Sequence, residues 1–193
     1  MRIATWNVNS LKARLEKVTW WLDRAKPDVL LMQETKLADT EAPTAAFRQA
    51  GYALVHHGEG RWNGVAIASR CGIDAVVTNF GEPLRPAHTS DTGDDEPLAE
   101  ARMISAECGG VRVVCVYAPN GRVVGSSFYE AKLAWFDRLA RWLNEVIDPD
   151  ARARRSSFAR RARADSGLAQ RISREQAHAD LRVRAVEART QPA

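Results

Sequence analysis

Asp28-Val29-Leu30-Leu31-Met32-Gln33-Glu34-Thr35-Lys36 is the stretch that decides the fold. Four apolar residues in succession predict a strand buried on both faces, and the run stops abruptly at polar residues headed by Glu34. In open α/β sheets ligands collect outside the carboxyl ends of strands, so a carboxylate at that point is a candidate metal ligand or acid–base group. A solvated loop glutamate is the alternative.

Upstream, Ile3–Val8 predicts a short strand ending in the polar residues Asn7 and Asn9, with Ser10 placed to cap a helix. Leu11, Leu15, Val18 and Leu22 repeat at helical spacing, and Pro27 marks the stop. Strand, helix and strand in this order predict parallel neighbours joined by a right-handed crossover. That topology brings Asn7–Asn9 and Gln33–Glu34 to one edge of the sheet.

Downstream, a short helix is expected from Pro43 to Ala50, with Gly51 past its end. Strands follow at Tyr52–His57, Val65–Ser69 and Ile73–Thr78; residues 80–99, with three prolines and an acidic run, read as a long exposed loop. Ala101–Glu107 and Val111–Tyr117 form a hairpin across Gly109-Gly110. A last helix runs from about Phe128 to Val146, with Leu133, Phe136, Leu139, Leu143 and Val146 on one face.

Composition is that of a globular chain: 45% of its 193 residues are hydrophobic, and no apolar run is long enough to span a bilayer. The net charge of +4 is unevenly placed. Residues 1–150 carry 17 basic and 20 acidic side chains, a balance of −3, whereas residues 151–193 carry 11 Arg and 4 acids, a balance of +7. The basic character therefore belongs to the tail and does not by itself predict a nucleic-acid surface on the body. Cys71, Cys108 and Cys115 form no metal-ligand pattern, and the N-terminus has no signal-peptide layout, so a cytoplasmic location is expected.

Four segments carry the chemistry: Trp6-Asn7-Val8-Asn9-Ser10-Leu11, Gln33-Glu34-Thr35-Lys36, Arg61-Trp62-Asn63-Gly64-Val65-Ala66 and Val116-Tyr117-Ala118-Pro119-Asn120-Gly121. Together, through roughly residues 1–148, they closely resemble the exodeoxyribonuclease III and abasic-site endonuclease branch of the endonuclease/exonuclease/phosphatase superfamily. The resemblance implies an α/β fold, the N-terminal half of a two-sheet sandwich, with residues 149–193 an Arg/Ala-rich tail outside it. It implies Mg²⁺-dependent hydrolysis of DNA phosphodiesters, with Mn²⁺ as a substitute ion, on double-stranded DNA that is damaged or abasic. A monomer without membrane association is expected.

By the same resemblance Glu34 is the principal metal ligand, Asn7 its amide neighbour, and Asn9 stands where some relatives place a further polar ligand. One carboxylate and an amide suffice for a hard ion that keeps several waters. Tyr117 matches the family's active-site tyrosine, donating to the phosphate or acting near it as phenolate; the alternative is an ordinary half-buried strand tyrosine. Asn120 and Arg122 suit a phosphate clamp, against a plain turn amide and a solvated arginine. Trp62 and Asn63 lie where relatives touch the DNA groove, while a hydrophobic lid over the sheet is the competing role for the indole. His56, His57, His88 and His178 have no matching partners and read as strand, loop and tail residues.

The second part of the family pattern has no counterpart in these 193 residues. Gly-Asp-x-Asn and a terminal Ser-Asp-His are missing, and Asp165-Ser166-Gly167 and His178-Ala179-Asp180 lack the spacing and the preceding apolar strands. Residues 1–148 are thus expected to supply one sheet and part of its helical cover, and the chain to show little or no nuclease activity. The tail looks like out-of-frame translation of a GC-rich gene. A non-catalytic DNA-binding remnant using the Trp62 loop and the tail is the reading from another class, and a phosphodiesterase for inositol phosphates or lipids the one from within the superfamily.

Overall fold

A computed structural model of the chain describes residues 1–82 and 101–147. The loop expected over residues 80–99 and the tail after residue 148 fall largely or wholly outside them, as do His88 and His178. The chain divides into a body running from Met1 to Pro119 and a second unit that starts at Asn120.

In the body, β1 (Ile3–Asn7), β2 (Val29–Gln33), β3 (Ala53–His57) and β4 (Val65–Ser69) form one sheet in the order β1-β2-β4-β3. β1 and β2 are parallel, as a strand–helix–strand unit requires, and their register sets Asn7 opposite Gln33. Helix α1 (Leu11–Ala25) makes the crossover; the Ser10 hydroxyl accepts from the Ala13 amide at 3.4 Å, and Lys26 closes the helix in the left-handed region just before Pro27. The period-2 geometry of β2 explains its unbroken apolar run. Leu30 and Met32 face α1 and α2 (Thr44–Gln49) in a core with Val8, Leu11, Val18, Leu22 and Phe47. Val29, with Leu31 beside it, faces the other way.

What lies on that other side corrects the expectation of a single sheet. β5 (Asp74–Thr78), β6 (Met103–Cys108) and β7 (Val111–Val116) form a second antiparallel sheet in sequence order. Val29, Val65 and Ile67 of the first sheet share a core with Ile104, Ala106, Cys108, Val113 and Cys115 of the second. Both layers of the sandwich therefore come from this stretch of chain. The alternation Ile104-x-Ala106-x-Cys108 is the pattern of a strand with one face on such a core. The hairpin between β6 and β7 turns through Gly109 and Gly110, with φ of 55° and 78°; both central positions of this tight turn are left-handed, which glycine adopts without strain.

In the second unit α3 spans Ser127–Ile147. Its burial is deepest at Trp135 and Trp142, two turns apart, and the expected Leu133, Phe136, Leu139, Leu143 and Val146 are only partly covered. Among the described residues no helix is long and apolar enough to cross a membrane.

Candidate active site

The parallel pairing of β1 and β2 continues past both strands as a zipper of backbone bonds. Val8 N–H donates to Gln33 O at 2.9 Å, Ser10 N–H to Glu34 O at 2.7 Å and Leu11 N–H to Thr35 O at 2.8 Å. The loop 61–64 is tied to the same segment, Thr35 N–H donating to Gly64 O at 3.2 Å and Lys36 N–H to Asn63 O at 3.0 Å. Within this weave Asn9, Glu34, Lys36 and Asn63 hold φ of 41°, 54°, 54° and 53°. Left-handed backbone costs a non-glycine residue about 1–2 kcal/mol and persists only where its surroundings over-determine it; such clusters mark functional sites.

Glu34 is the hub. Its Oε1 accepts from Asn7 Nδ2 at 2.7 Å, and Lys36 Nζ lies 3.3 Å from Oε2. Tyr117 stands near enough to the same carboxylate for the two groups to shift one another's titration. Burial works to raise the Glu34 pKa, but the hydrogen bonds from Asn7, Tyr117 and Lys36 and the lysine charge outweigh it and hold the carboxyl below its usual range. The Asn7 amide is oriented by its partners: its Oδ1 accepts from Asn9 N–H at 3.1 Å, which leaves Nδ2 for the carboxylate.

Tyr117 follows β7, and its N–H donates to Arg102 O at 2.8 Å. The Arg102 guanidinium stands 4.8 Å from the phenol ring centroid. Burial and the neighbouring Glu34 charge raise the phenol pKa. Tyr117 is therefore a donor at neutral pH, and the phenolate alternative is disfavoured.

Lys36 Nζ also donates to Asn9 Oδ1 at 2.5 Å, so an ammonium already lies between the Glu34 carboxylate and an amide oxygen. That is an oxygen cradle turned toward a cation. Among the described residues no group of three or more His, Cys, Asp or Glu could hold a metal. The donors present, one carboxylate with neighbouring amides, fit a hard divalent ion that keeps most of its waters, and do not fit a soft or fully dehydrated one.

Trp62 is 60% exposed with the Arg61 guanidinium 5.1 Å from its ring centroid, which is not the burial of a hydrophobic lid. Asn120 and Arg122 belong to the second unit. There the Asn120 Oδ1 accepts from Arg122 N–H at 2.9 Å, and the Arg122 guanidinium sits 3.6 Å from the Phe128 ring centroid. The body thus brings Asn7, Asn9, Glu34 and Tyr117 together and ties the Trp62–Asn63 loop to them through backbone.

Sequence reasoning gave no role to Lys36, although it stands two residues from Glu34 in a quoted motif. It also read His56 as partnerless, and that is corrected: His56 bonds Thr35 Oγ1 at 2.8 Å and Asp39 Oδ1 at 2.7 Å. Nothing in local spacing signals this contact, which exists only once β3 lies beside the Glu34 loop.

Comparison with known proteins bears on the fold and the family. Exodeoxyribonuclease III of Haemophilus influenzae is 26% identical over 149 residues, which cover 77% of this chain and 53% of that protein. An AP endonuclease structure from Archaeoglobus fulgidus is 39% identical with a TM-score of 0.65, covering 77% of this chain and 52% of that one. The 3′ phosphatase NExo from Neisseria, solved bound to product DNA hairpin, is 37% identical with a TM-score of 0.64, covering 76% and 52%. The chain spans about half the length of each. Residues 4–179 match the Endonuclease/Exonuclease/phosphatase family, and the chain belongs to it.

Proposed function

We propose that the Glu34 edge is the cation-binding side of a site for hydrolysing DNA phosphodiesters. The observation that carries the reading is convergence: Asn7 donates to, and Lys36 pairs with, one carboxylate at the carboxyl end of a buried strand, with Tyr117 near enough to shift its titration. Glu34 would hold Mg²⁺, or Mn²⁺ in its place, with Asn7 orienting the carboxylate and Asn9 beside it. When bound, the ion neutralises phosphate charge and stabilises the leaving oxygen. Tyr117 supplies a neutral donor toward a phosphate oxygen, and exposed Trp62 with Asn63 suits the groove of abasic or otherwise distorted duplex; in the second unit Asn120 and Arg122 offer an amide and a guanidinium of the kind that binds phosphate.

Water orientation and leaving-group protonation need further groups, and catalytic groups that act as a unit are grossly non-additive. The expected behaviour of this 193-residue chain is therefore Mg²⁺ and DNA binding with little cleavage. The test is a duplex carrying one abasic site, incubated with Mg²⁺ and the purified chain, with Mn²⁺ and DNA binding measured in parallel. Mn²⁺ binding that depends on Glu34 supports the reading; absence of both ion binding and DNA binding refutes it, and turnover matching a full-length relative refutes the expected loss of activity.

The stacked Arg61–Trp62 pair also favours a second reading, DNA binding without catalysis. Salt-dependent duplex binding that is indifferent to Glu34 would select it.

A further inference from the structure

Behind Glu34 lies a polar chain that the reading above does not use, running from exposed Asp39 through buried His56 to buried Thr35. Asp39 Oδ1 accepts from Gly58 N–H at 2.8 Å and lies 2.7 Å from His56 Nδ1, while His56 Nε2 lies 2.8 Å from Thr35 Oγ1. A carboxylate can only accept, so Nδ1 carries the ring proton. The His56 side chain is 3% exposed, and burial favours the neutral ring, leaving Nε2 to accept from the Thr35 hydroxyl.

Carboxylate, imidazole and hydroxyl in this order have the connectivity of a hydrolase triad. Thr35 is nonetheless wholly buried, with no surface for a substrate to reach, so it is not a nucleophile. Its backbone shows what it holds. Thr35 lies between Glu34 and Lys36, both left-handed; its carbonyl accepts from Leu11 N–H and its N–H donates to Gly64 O. A Cβ at Gly64 would run into Thr35 Oγ1. The same chain reaches the aromatic loop, since Asp39 binds Gly58, Ala38 pairs with Glu59, and Glu59 accepts from Ala101 N–H.

We propose that Asp39 and His56 are positioning residues that act through Thr35, fixing the backbone on which Glu34 and Lys36 stand and locking the Arg61–Gly64 loop against it. The geometry fixes a hydroxyl rotor from behind, so that the cation-facing carboxylate is preset rather than assembled on binding. The proposal extends the cation reading of Glu34, and only one arm of its test rests on that reading.

The test compares the full chain with Thr35→Val, which keeps shape and removes the hydroxyl, and Thr35→Ser, which restores it. Amide hydrogen exchange at Ser10, Leu11 and Lys36 is expected to quicken about tenfold in Thr35→Val and return in Thr35→Ser, while Ala106 and Val113 on the β6–β7 hairpin stay unchanged. The ¹⁵N spectrum of His56 is expected to show a protonated Nδ1 and a bare Nε2. Mn²⁺, used as the probe ion, is expected to bind about tenfold more weakly to Thr35→Val. Unchanged exchange at the three amides, failure of serine to restore it, or a protonated Nε2 overturns the proposal. Should Thr35→Val unfold the hairpin as well, Asp39→Asn decides in its place, and unchanged exchange in that variant is equally fatal. An unaltered chain that binds no Mn²⁺ overturns the cation reading and leaves the exchange comparison to judge the positioning chain.

Discussion

Asn7 Nδ2 donates to Glu34 Oε1 at 2.7 Å, across the register that sets Asn7 beside Gln33 in the parallel β1–β2 pair. The bond is a direct product of topology: Asn7 and Glu34, 27 positions apart in sequence, meet at one sheet edge. Replacing Asn7 by Ala removes the largest stabilising hydrogen bond to the carboxylate. The Glu34 pKa should then rise, because burial is no longer offset as strongly. Side-chain ¹³C titration by NMR checks the direction.

Gly64 should tolerate no side chain. Its φ is 85°, and an added Cβ meets Thr35 Oγ1, whose hydroxyl is committed to His56. Gly64→Ala combines left-handed strain with overpacking and is expected to cost about 2–4 kcal/mol, read as a lower urea midpoint at unchanged m-value.

Acid should loosen the fold before the carboxylates titrate. Burial holds His56 and His57 below the ordinary histidine value of 6.5, against the partial pull of Asp39 in the other direction. In the unfolded chain both rings protonate near that value. Below it the unfolded state binds more protons than the folded one, so stability is full above the unfolded value and falls as pH drops toward the folded ones. Urea midpoints measured from about pH 7.5 down to about pH 5.5 should decline, and His56→Gln should make the decline shallower.

Trp62 is the exposed aromatic of the candidate interface. Trp62→Ala should weaken binding of a distorted duplex by about tenfold, the order expected for loss of one base–aromatic contact, with the unfolding midpoint unchanged because the indole is 60% exposed. Fluorescence anisotropy of a labelled duplex at fixed salt measures it.

The legible part of this molecule was local. The both-faces-apolar run of β2, the Ser10 cap, the Pro27 stop and the Gly109-Gly110 turn each write one element into a few adjacent residues. Parallel pairing then placed Asn7 near Glu34 without any knowledge of side-chain contacts. What stayed hidden depends on packing between segments distant in sequence. The pairing pattern of β6 and β7 is the same whether the hairpin extends one sheet or founds another; only the shared core of Ile67 with Ile104 and Cys115 decides it. The Asp39–His56–Thr35 chain was hidden for the same reason, since its three members come from a 3₁₀ turn, a strand and a loop with no repeating interval.

The central claim is that Glu34 is the anchor of a cation site, and Mn²⁺ binding followed by electron paramagnetic resonance tests it most directly. The unaltered chain should bind one Mn²⁺, displaced by Mg²⁺, and Glu34→Gln should weaken that binding by about tenfold or more while the fold stays intact. Equal Mn²⁺ affinity in the two proteins would contradict the account.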